Sequence, residues 1–370
     1  MRVRILGIRG VPAAHGGFET FAEKLALYLV DIGWEPIVYC QVEGIGNSWS
    51  DEWRGIKRVH IPVTGQGPKG TIEFDWKSTL DASKHDDSCL VLGYNTAVFT
   101  ALLRVRGVPF SINMDGIEWA RAKWGPVAKL WFWLNDWAGC WLGNQLIADH
   151  PEIKNHLTTR VSSDKVVMIP YGGEKIVAAD SRHLLPWNLE PGKFLTVIAR
   201  AEPENSLLEI VSGFSQRPRG LKLVVLGNYD RTHSFQRKVL DAASNEVIFI
   251  GAIYDQSIVS ALRFHCLAYV HGHRVGGTNP SLVEALGASN AVIAHDNKFN
   301  RWVAGPAARY FASASEFSAL LDSLINDPSS IASMRKQSEE RFEETFTWQQ
   351  VLSRYADILS ATDKKGKFRS

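Results

Sequence analysis

Short apolar runs alternate with longer amphipathic stretches along most of this chain. The first run, Val3 to Gly7, reads as a buried strand, and a loop carrying Gly10, Pro12, Gly16 and Gly17 follows it. Phe18, Phe21, Ala22, Leu25 and Leu29 then recur at helical spacing until Gly33 stops the helix, and Pro36 to Cys40 is the next apolar run. Strand, loop, helix and strand in that order predict a parallel sheet. Strand-like runs continue at Val59–Val63, Cys89–Leu92, Phe110–Asn113, Leu146–Ala148 and Val166–Ile169.

The stretch from Pro170 to Lys193 breaks the alternation. Its Pro170, Gly172, Gly173, Pro186, Pro191 and Gly192 predict a linker. A second series follows at Phe194–Ala199, Leu223–Leu226, Val247–Ile250, Leu267–Val270 and Ala291–Ala294, and helical sequence fills 330–359 ahead of a polar tail over 364–370. The expectation is an α/β chain of two Rossmann-like domains: 1–172, a linker over 173–192, a second domain over 193–345, and a C-terminal helix and tail over 346–370 that packs back on the first domain. Ligands of open parallel sheets sit beyond the carboxyl ends of the strands. Two such domains facing across a cleft would hold a ligand between them, so chemistry is sought in the loops after strands.

Composition narrows the function classes. A length of 370 residues suits two domains of ordinary size. A net charge of +2 argues against a dedicated nucleic-acid binder. Cys40, Cys89, Cys140 and Cys266 form no C-x-x-C pair, which removes zinc ribbons and thioredoxin motifs and suits a reducing cytoplasm. Arg2, Arg4 and Arg9 interrupt any signal-peptide core, and no apolar run reaches the roughly 18 residues of a membrane span. A cytoplasmic protein is expected.

The sharpest local pattern is His271 to Leu286, H-G-H-R-V-G-G-T-N-P-S-L-V-E-A-L. A strand ends there, Gly276 and Gly277 let backbone approach a ligand, Thr278 or Asn279 caps a helix, and Pro280 takes its first position. A helix N-terminus reached this way suits a phosphate, with Ser281 in its first turn. Glu284, one turn inside, can accept hydrogen bonds from paired sugar hydroxyls or simply face solvent.

The segment resembles the donor-sugar site of retaining GT-B glycosyltransferases, especially glycosyltransferase family 4. There two Glu lie in a Gly-rich turn entering a helix; Glu284 matches the second, which in the family holds the nucleotide ribose, and Gly276 stands where the first would fall. A fuller resemblance is to bacterial rhamnosyltransferase-like enzymes of polysaccharide assembly. It rests on Gly7 to Thr20 (G-x-R-G-x-P-x-x-x-G-G-F-E-T), on G-G-T-N-P-S-L-x-E, and on H-D-N-x-F-N at His295 to Asn300.

The resemblance implies a GT-B fold and a hexosyltransferase of the retaining kind. The donor would be a nucleoside-diphosphate sugar, dTDP-rhamnose first and a UDP-sugar second. The acceptor would be a saccharide, lipid-linked at the cytoplasmic face of a membrane. No cofactor, metal or nucleic acid is expected, and no D-x-D motif of the metal-dependent GT-A kind occurs. It places Gly16, Gly17, Arg200, His273, Gly276, Gly277, Thr278, Asn279, Ser281 and Glu284 around the donor. In related enzymes an Arg after the first strand of the second domain works with a Lys five residues on; here Arg200 is present and Asn205 stands in the second position. The alternatives are a nucleotide-sugar epimerase or dehydrogenase, or a subunit that binds nucleotide sugar without transferring it.

Three carboxylates are catalytic candidates. Glu19 sits in the first turn of the first helix, either capping it or touching substrate. Asp115 and Glu118 follow a strand in N-M-D-G-I-E-W and could orient or deprotonate an acceptor hydroxyl, sharing a face only if that turn is helical. His271 and His273 share a strand face if extended, which suits phosphate or sugar contacts better than metal without a third ligand. Gly65 to Gly70, G-Q-G-P-K-G, lies outside the first β–α unit and reads as a flexible loop rather than a dinucleotide fingerprint, with Lys69 near an acceptor phosphate.

Six tryptophans, Trp119, Trp124, Trp131, Trp133, Trp137 and Trp141, crowd one segment. Leu130, Trp133, Leu134, Trp137 and Trp141 make one helical stripe, which fits either a core-facing helix or a helix lying on a membrane surface. Arg121, Lys123 and Lys129 are the neighbouring cations, and Trp133, Trp137 and Trp141 are expected in the core.

Overall fold

The computed structural model describes residues 1–14 and 16–367. Contacts divide the chain into two units, Met1–Tyr171 with the segment from Trp348 onward, and Gly172–Thr347.

In the first unit the chain runs β1 (Arg2–Leu6), α1 (Gly16–Asp31), β2 (Glu35–Glu43), β3 (Trp49–Trp53), β4 (Ile56–Val63), α2 (Gly67–Ala82), β5 (Ser88–Leu92), α3 (Ala101–Val105), β6 (Phe110–Asn113), α4 (Pro126–Leu142), β7 (Gln145–Ala148), α5 (Pro151–Thr158) and β8 (Val166–Met168). The sheet order is β3-β4-β2-β1-β5-β6-β7-β8. Every pairing is parallel except the hairpin of β3 on β4. Strands such as β1 and β5 are buried almost throughout, four of five residues in β1 and all five in β5, because helices cover both faces of a parallel sheet. Helix α1 buries Phe21, Ala22, Leu25, Ala26 and Leu29 against it.

The second unit runs β9 (Phe194–Ile198), α6 (Leu207–Phe214), β10 (Lys222–Leu226), α7 (Ser234–Asp241), β11 (Val247–Gly251), α8 (Gln256–Phe264), β12 (Ala268–His271), α9 (Pro280–Gly287), β13 (Val292–His295), α10 (Lys298–Ala304), β14 (Ala308–Phe311), α11 (Ala314–Ile325) and α12 (Pro328–Thr345). Its six strands are all parallel, in the order β11-β10-β9-β12-β13-β14.

The structure departs from the sequence expectation in several places. The stretch 173–192 is not a loose linker. A 3-10 turn at Ser181–Trp187 drops Leu184 into the second unit's core beside Phe194 and Leu262, and the amides of Gly173 and Ile176 donate to Phe346 O and Gly287 O at 2.8 and 2.9 Å. Paired backbone of this kind has little freedom whatever its proline content. The closing helical sequence is two helices, α12 and α13 (Trp348–Lys367), split at Phe346. Helix α13 presents Trp348, Val351, Leu352, Tyr355, Ala356 and Leu359 to the core that holds β1 and α1, a stripe at helical spacing. The helix also takes in most of the expected polar tail; residues 368–370 lie outside those described. G-Q-G-P-K-G is ordered helix entry: Gln66 stands at the N-cap of α2, and Glu73 accepts from the amides of Thr64 and Gly65 at 3.1 Å each. Among the described residues no helix is long and apolar enough to cross a membrane.

Candidate functional site

In the second sheet, chain order reverses across β9, which lies between β10 and β12. The loops leaving β9 and β12 therefore flank the crevice where open sheets take ligands. They are tied together: Arg274 N donates to Glu204 O at 2.9 Å, Arg274 Nε to Ser206 Oγ at 2.8 Å, and the Arg274 guanidinium pairs with Glu209. Arg200 stands exposed in the first loop and makes no ion pair among the described residues, with Glu202 or Glu204 or otherwise. Asn205 is buried, and its side-chain amide donates to Arg200 O at 2.9 Å, so it fixes the backbone of Arg200 instead of adding a second cation.

The loop after β12 enters α9 through Asn279, whose Oδ1 accepts from Ser281 N at 3.0 Å and Ser281 Oγ at 2.8 Å. The amides of Ser281, Leu282 and Val283 thus have partners inside the cap. Those of Gly276 and Gly277, just ahead of it, have none among the described residues. The open donors precede the helix, and the cap behind them adds its partial positive charge. Gly276 has φ +129°, a backbone shape that side chains rarely adopt. A Glu substituted at this position would be strained.

Glu284 is not simply solvated. It pairs with Arg263, which comes from α8 and is buried. The two histidines stack face to face, 4.4 Å between ring centroids and 15° between planes. His271 is fully buried, both ring nitrogens lack a partner among the described residues, and burial holds its pKa well below the ordinary value, so the ring is neutral. The H-D-N-x-F-N segment has a defined mechanical part. Asn297 caps α10, and Asn297 Nδ2 and Asn300 Nδ2 reach His273 O at 3.0 and 2.8 Å, holding the loop after β12 in place.

In the first unit the loops after β1, β5 and β6 emerge side by side. Glu19, half-buried in the first turn of α1, accepts from Arg9 N at 3.4 Å. It borders a pocket of about 640 Å³ lined also by Arg9, Gly10, Gln41, Glu43 and Gln66. Gly16 and Gly17 open α1, where Gly16 has φ +66°.

Asp115 has φ +51°, and a separate 3-10 turn begins at Glu118, so the two carboxylates do not share a helix face. Their fates differ. Glu118 is occupied: Arg121 pairs with it at 2.5 Å, Trp124 Nε1 donates to it at 2.9 Å, and Lys123 lies 4.0 Å away. The Asp115 backbone amide donates to Asn113 Oδ1 at 2.9 Å, Asn113 Nδ2 donates to Tyr355 of α13 at 2.7 Å, and the Asp115 carboxylate meets the Gly116 amide. Burial, and then the charge of Glu118, push the Asp115 carboxyl up to about 6.

Helix α4 is inverted relative to the expected core packing. Its buried residues are Asn135, Asp136, Gly139 and Cys140, while Val127, Leu130, Trp133, Leu134 and Trp141 are exposed, Trp141 at 63% and Val127 at 83%. The inward polar groups are satisfied. Val98 N donates to Asn135 at 2.9 Å, and Asp136 takes Trp119 Nε1 at 2.8 Å, His156 at 2.9 Å and Arg160 at 3.0 Å.

Sequence reasoning missed Arg263, Arg274, Asn205's structural use and Tyr355. Only Arg274 lay inside a quoted motif.

Comparisons with known proteins agree with this architecture. Residues 186–341 match the family described as Glycosyl transferases group 1, and residues 1–174 match a domain of unknown function, DUF1972. No curated protein matches the sequence. Among solved structures, the chain is similar to sucrose-phosphate synthase from Thermosynechococcus elongatus, with TM-score 0.80 and 15% identity over 97% of this chain and 98% of that one. It is also similar to HepE of Anabaena in complex with UDP, with TM-score 0.76 and 14% identity over 98% and 100%. A third is the UDP-forming α,α-trehalose-phosphate synthase of Burkholderia xenovorans in complex with glucose-6-phosphate, with TM-score 0.74 and 12% identity over 97% and 99%. The chain has the two-domain α/β fold of GT-B glycosyltransferases, and its second unit carries the match to group 1 glycosyl transferases, which together support a glycosyltransferase.

Proposed function

We propose that this chain is a retaining, family 4-like glycosyltransferase of polysaccharide assembly. It moves a hexose or deoxyhexose, rhamnose first, from a nucleoside-diphosphate sugar to a lipid-linked saccharide at the cytoplasmic face of a membrane. The observation that carries the reading is the pair of open amides at Gly276 and Gly277 beside the unpaired Arg200, at the reversal point of the second sheet and within the matched segment. Two amides, a capped helix and a guanidinium fork suit a diphosphate. Solved structures of the same fold hold UDP and glucose-6-phosphate, which supports a nucleotide sugar and a saccharide acceptor as the substrate classes.

In the reaction the bond from the anomeric carbon to the diphosphate oxygen breaks, and a bond to the acceptor oxygen forms, through an oxocarbenium-like state. The diphosphate gains negative charge as it leaves, and Arg200 with the glycine amides stabilises it without a metal. Glu284, oriented by Arg263, takes the ribose hydroxyls. Asp115 accepts the hydrogen bond of the acceptor hydroxyl and takes its proton as the new bond forms; Glu118, already ion-paired, positions the loop instead.

The lipid-linked acceptor gains support from α4. Its exposed Val127, Leu130, Leu134 and Trp141 recur every three to seven residues along one face, as in helices that lie at a membrane interface. Arg121 and Lys123 face Glu118, so apolar burial rather than charge would carry the contact.

Asn205 in place of a cation favours a second reading, a subunit that binds nucleotide sugar without transferring it. One assay separates the readings. The protein is incubated with dTDP-rhamnose or UDP-glucose, with and without bacterial lipid-linked saccharide, and free nucleoside diphosphate is measured. Release that depends on the acceptor is expected. Donor isomerised without acceptor means an epimerase, and binding with no turnover means the binding subunit.

A further inference from the structure

A small polar cavity of about 60 Å³ lies where β1 and β5 end, the point at which chain order reverses in the first sheet. Of the motifs described above only Gly7, which opens the Gly7 to Thr20 segment, lines it. Leu6, Gly7, Leu92 and Gly93 form its floor, and Thr71, Asp75 and Thr79 of α2 form one wall. Gly7 lies tight against β5 here: its φ is +85°, and a Cβ there would meet Leu92 O at 2.2 Å. Asn95, exposed, and Thr96 complete the lining from the loop after β5.

Asp75 is 9% exposed. Its carboxylate accepts a single hydrogen bond, from Thr96 Oγ1 at 2.8 Å, and meets no cation among the described residues. A carboxylate out of water normally gathers several donors or a counter-charge, because the bare ion is costly. The remaining oxygen of Asp75 therefore has room for a donor that the chain does not supply. The cavity is too small for a sugar ring but admits one or two groups of about the size of water. It is lined by the loops after β1 and β5, and β6, whose following loop carries Asp115, is the strand next to β5 in the sheet.

We propose that this cavity is a hydroxyl-binding subsite of the first unit, in which Asp75, oriented by Thr96, receives a hydroxyl or hydroxymethyl group of the acceptor saccharide. The inference rests on the glycosyltransferase reading and adds to it a residue that selects the acceptor. A single carboxylate facing one buried substituent discriminates strongly against sugars that lack it, since the unpaired ion is then left in the cavity. Burial also pushes the Asp75 carboxyl up to about 6, so it can serve as either partner of a hydroxyl near neutral pH.

The test uses the full chain with methyl glycosides of rhamnose, glucose, galactose and N-acetylglucosamine, read by saturation-transfer NMR. UDP and dTDP titrations of the same samples report on the second unit. At least one glycoside should bind the parent, and Asp75→Asn should weaken it about 10- to 100-fold, the range of one hydrogen bond to a charged group. Nucleotide affinity should stay unchanged. Thr96→Val, which keeps the carboxylate but frees its orientation, should weaken the same glycoside by a smaller factor and serves also if Asp75→Asn misfolds. Equal glycoside binding in the folded variants, or none to the parent, overturns the subsite. Loss of nucleotide binding in the parent would instead overturn the glycosyltransferase reading.

Discussion

Asp115 and Asp75 are both pushed up to about 6 by burial, and opposite tests follow. If Asp115 takes the acceptor proton it must be ionised, so turnover should rise with pH through about 6. Asp115→Asn should lower kcat by on the order of 10²–10⁴ while leaving nucleotide binding alone, as a lost general base does. For Asp75 the readout is stability. Its folded pKa lies above the roughly 3.9 of an unfolded Asp, so the folded state keeps a proton that the unfolded state gives up. The parent should lose stability as pH rises from about 4 to 6. Asp75→Asn should flatten that slope and melt at or above the parent temperature at pH 8, by on the order of 1–3 kcal/mol. A lower melting temperature at pH 8 would mean that Asp75 is structural. Glu284→Gln is the third residue test. It keeps a partner for buried Arg263, whereas Glu284→Ala strands it. Donor affinity should fall about 10- to 100-fold in Glu284→Gln with little loss of melting temperature. Glu284 was legible from its place after the Gly-Gly turn. Arg263 was not, because it reaches the site from α8 across β12, and no local spacing encodes that approach.

Helix α4 shows where periodicity stops being informative. The stripe Leu130, Leu134, Trp141 was readable as one face, but periodicity says only that a face is apolar, not which way it points. The direction is set by Asn135 and Asp136, whose partners Val98, Trp119, and His156 with Arg160 come from three other places in the chain. Two substitutions separate the faces. Leu134→Ser with Trp141→Ser should leave the melting temperature nearly unchanged and reduce co-sedimentation with anionic vesicles several-fold. Asp136→Ala should cost about 3 kcal/mol, since it strands buried Arg160. A parent that stays in the supernatant at low salt would leave the stripe without a membrane role. Strand β3 was invisible for a related reason. Its W-S-D-E-W is mostly exposed, so it has no apolar run, and it is made by an Arg54-Gly55 turn in which both residues have positive φ.

At the scale of the whole molecule, the two parallel sheets were readable because most of their strands, covered on both sides, carry short apolar runs. The boundary between the units was less so: Pro and Gly over 173–192 suggested slack, but the hydrogen bonds that fix the stretch come from Phe346 and Gly287. The central claim is that the second unit holds a nucleoside diphosphate at the loops after β9 and β12. It is tested most directly by the melting temperature of the full chain with dTDP, UDP, GDP and ADP, beside Arg200→Ala. A ligand at 100 times its Kd stabilises by about 2.7 kcal/mol. The account predicts the largest rise with dTDP, the next with UDP, and both much reduced in Arg200→Ala. No rise with any of the four nucleotides would contradict it.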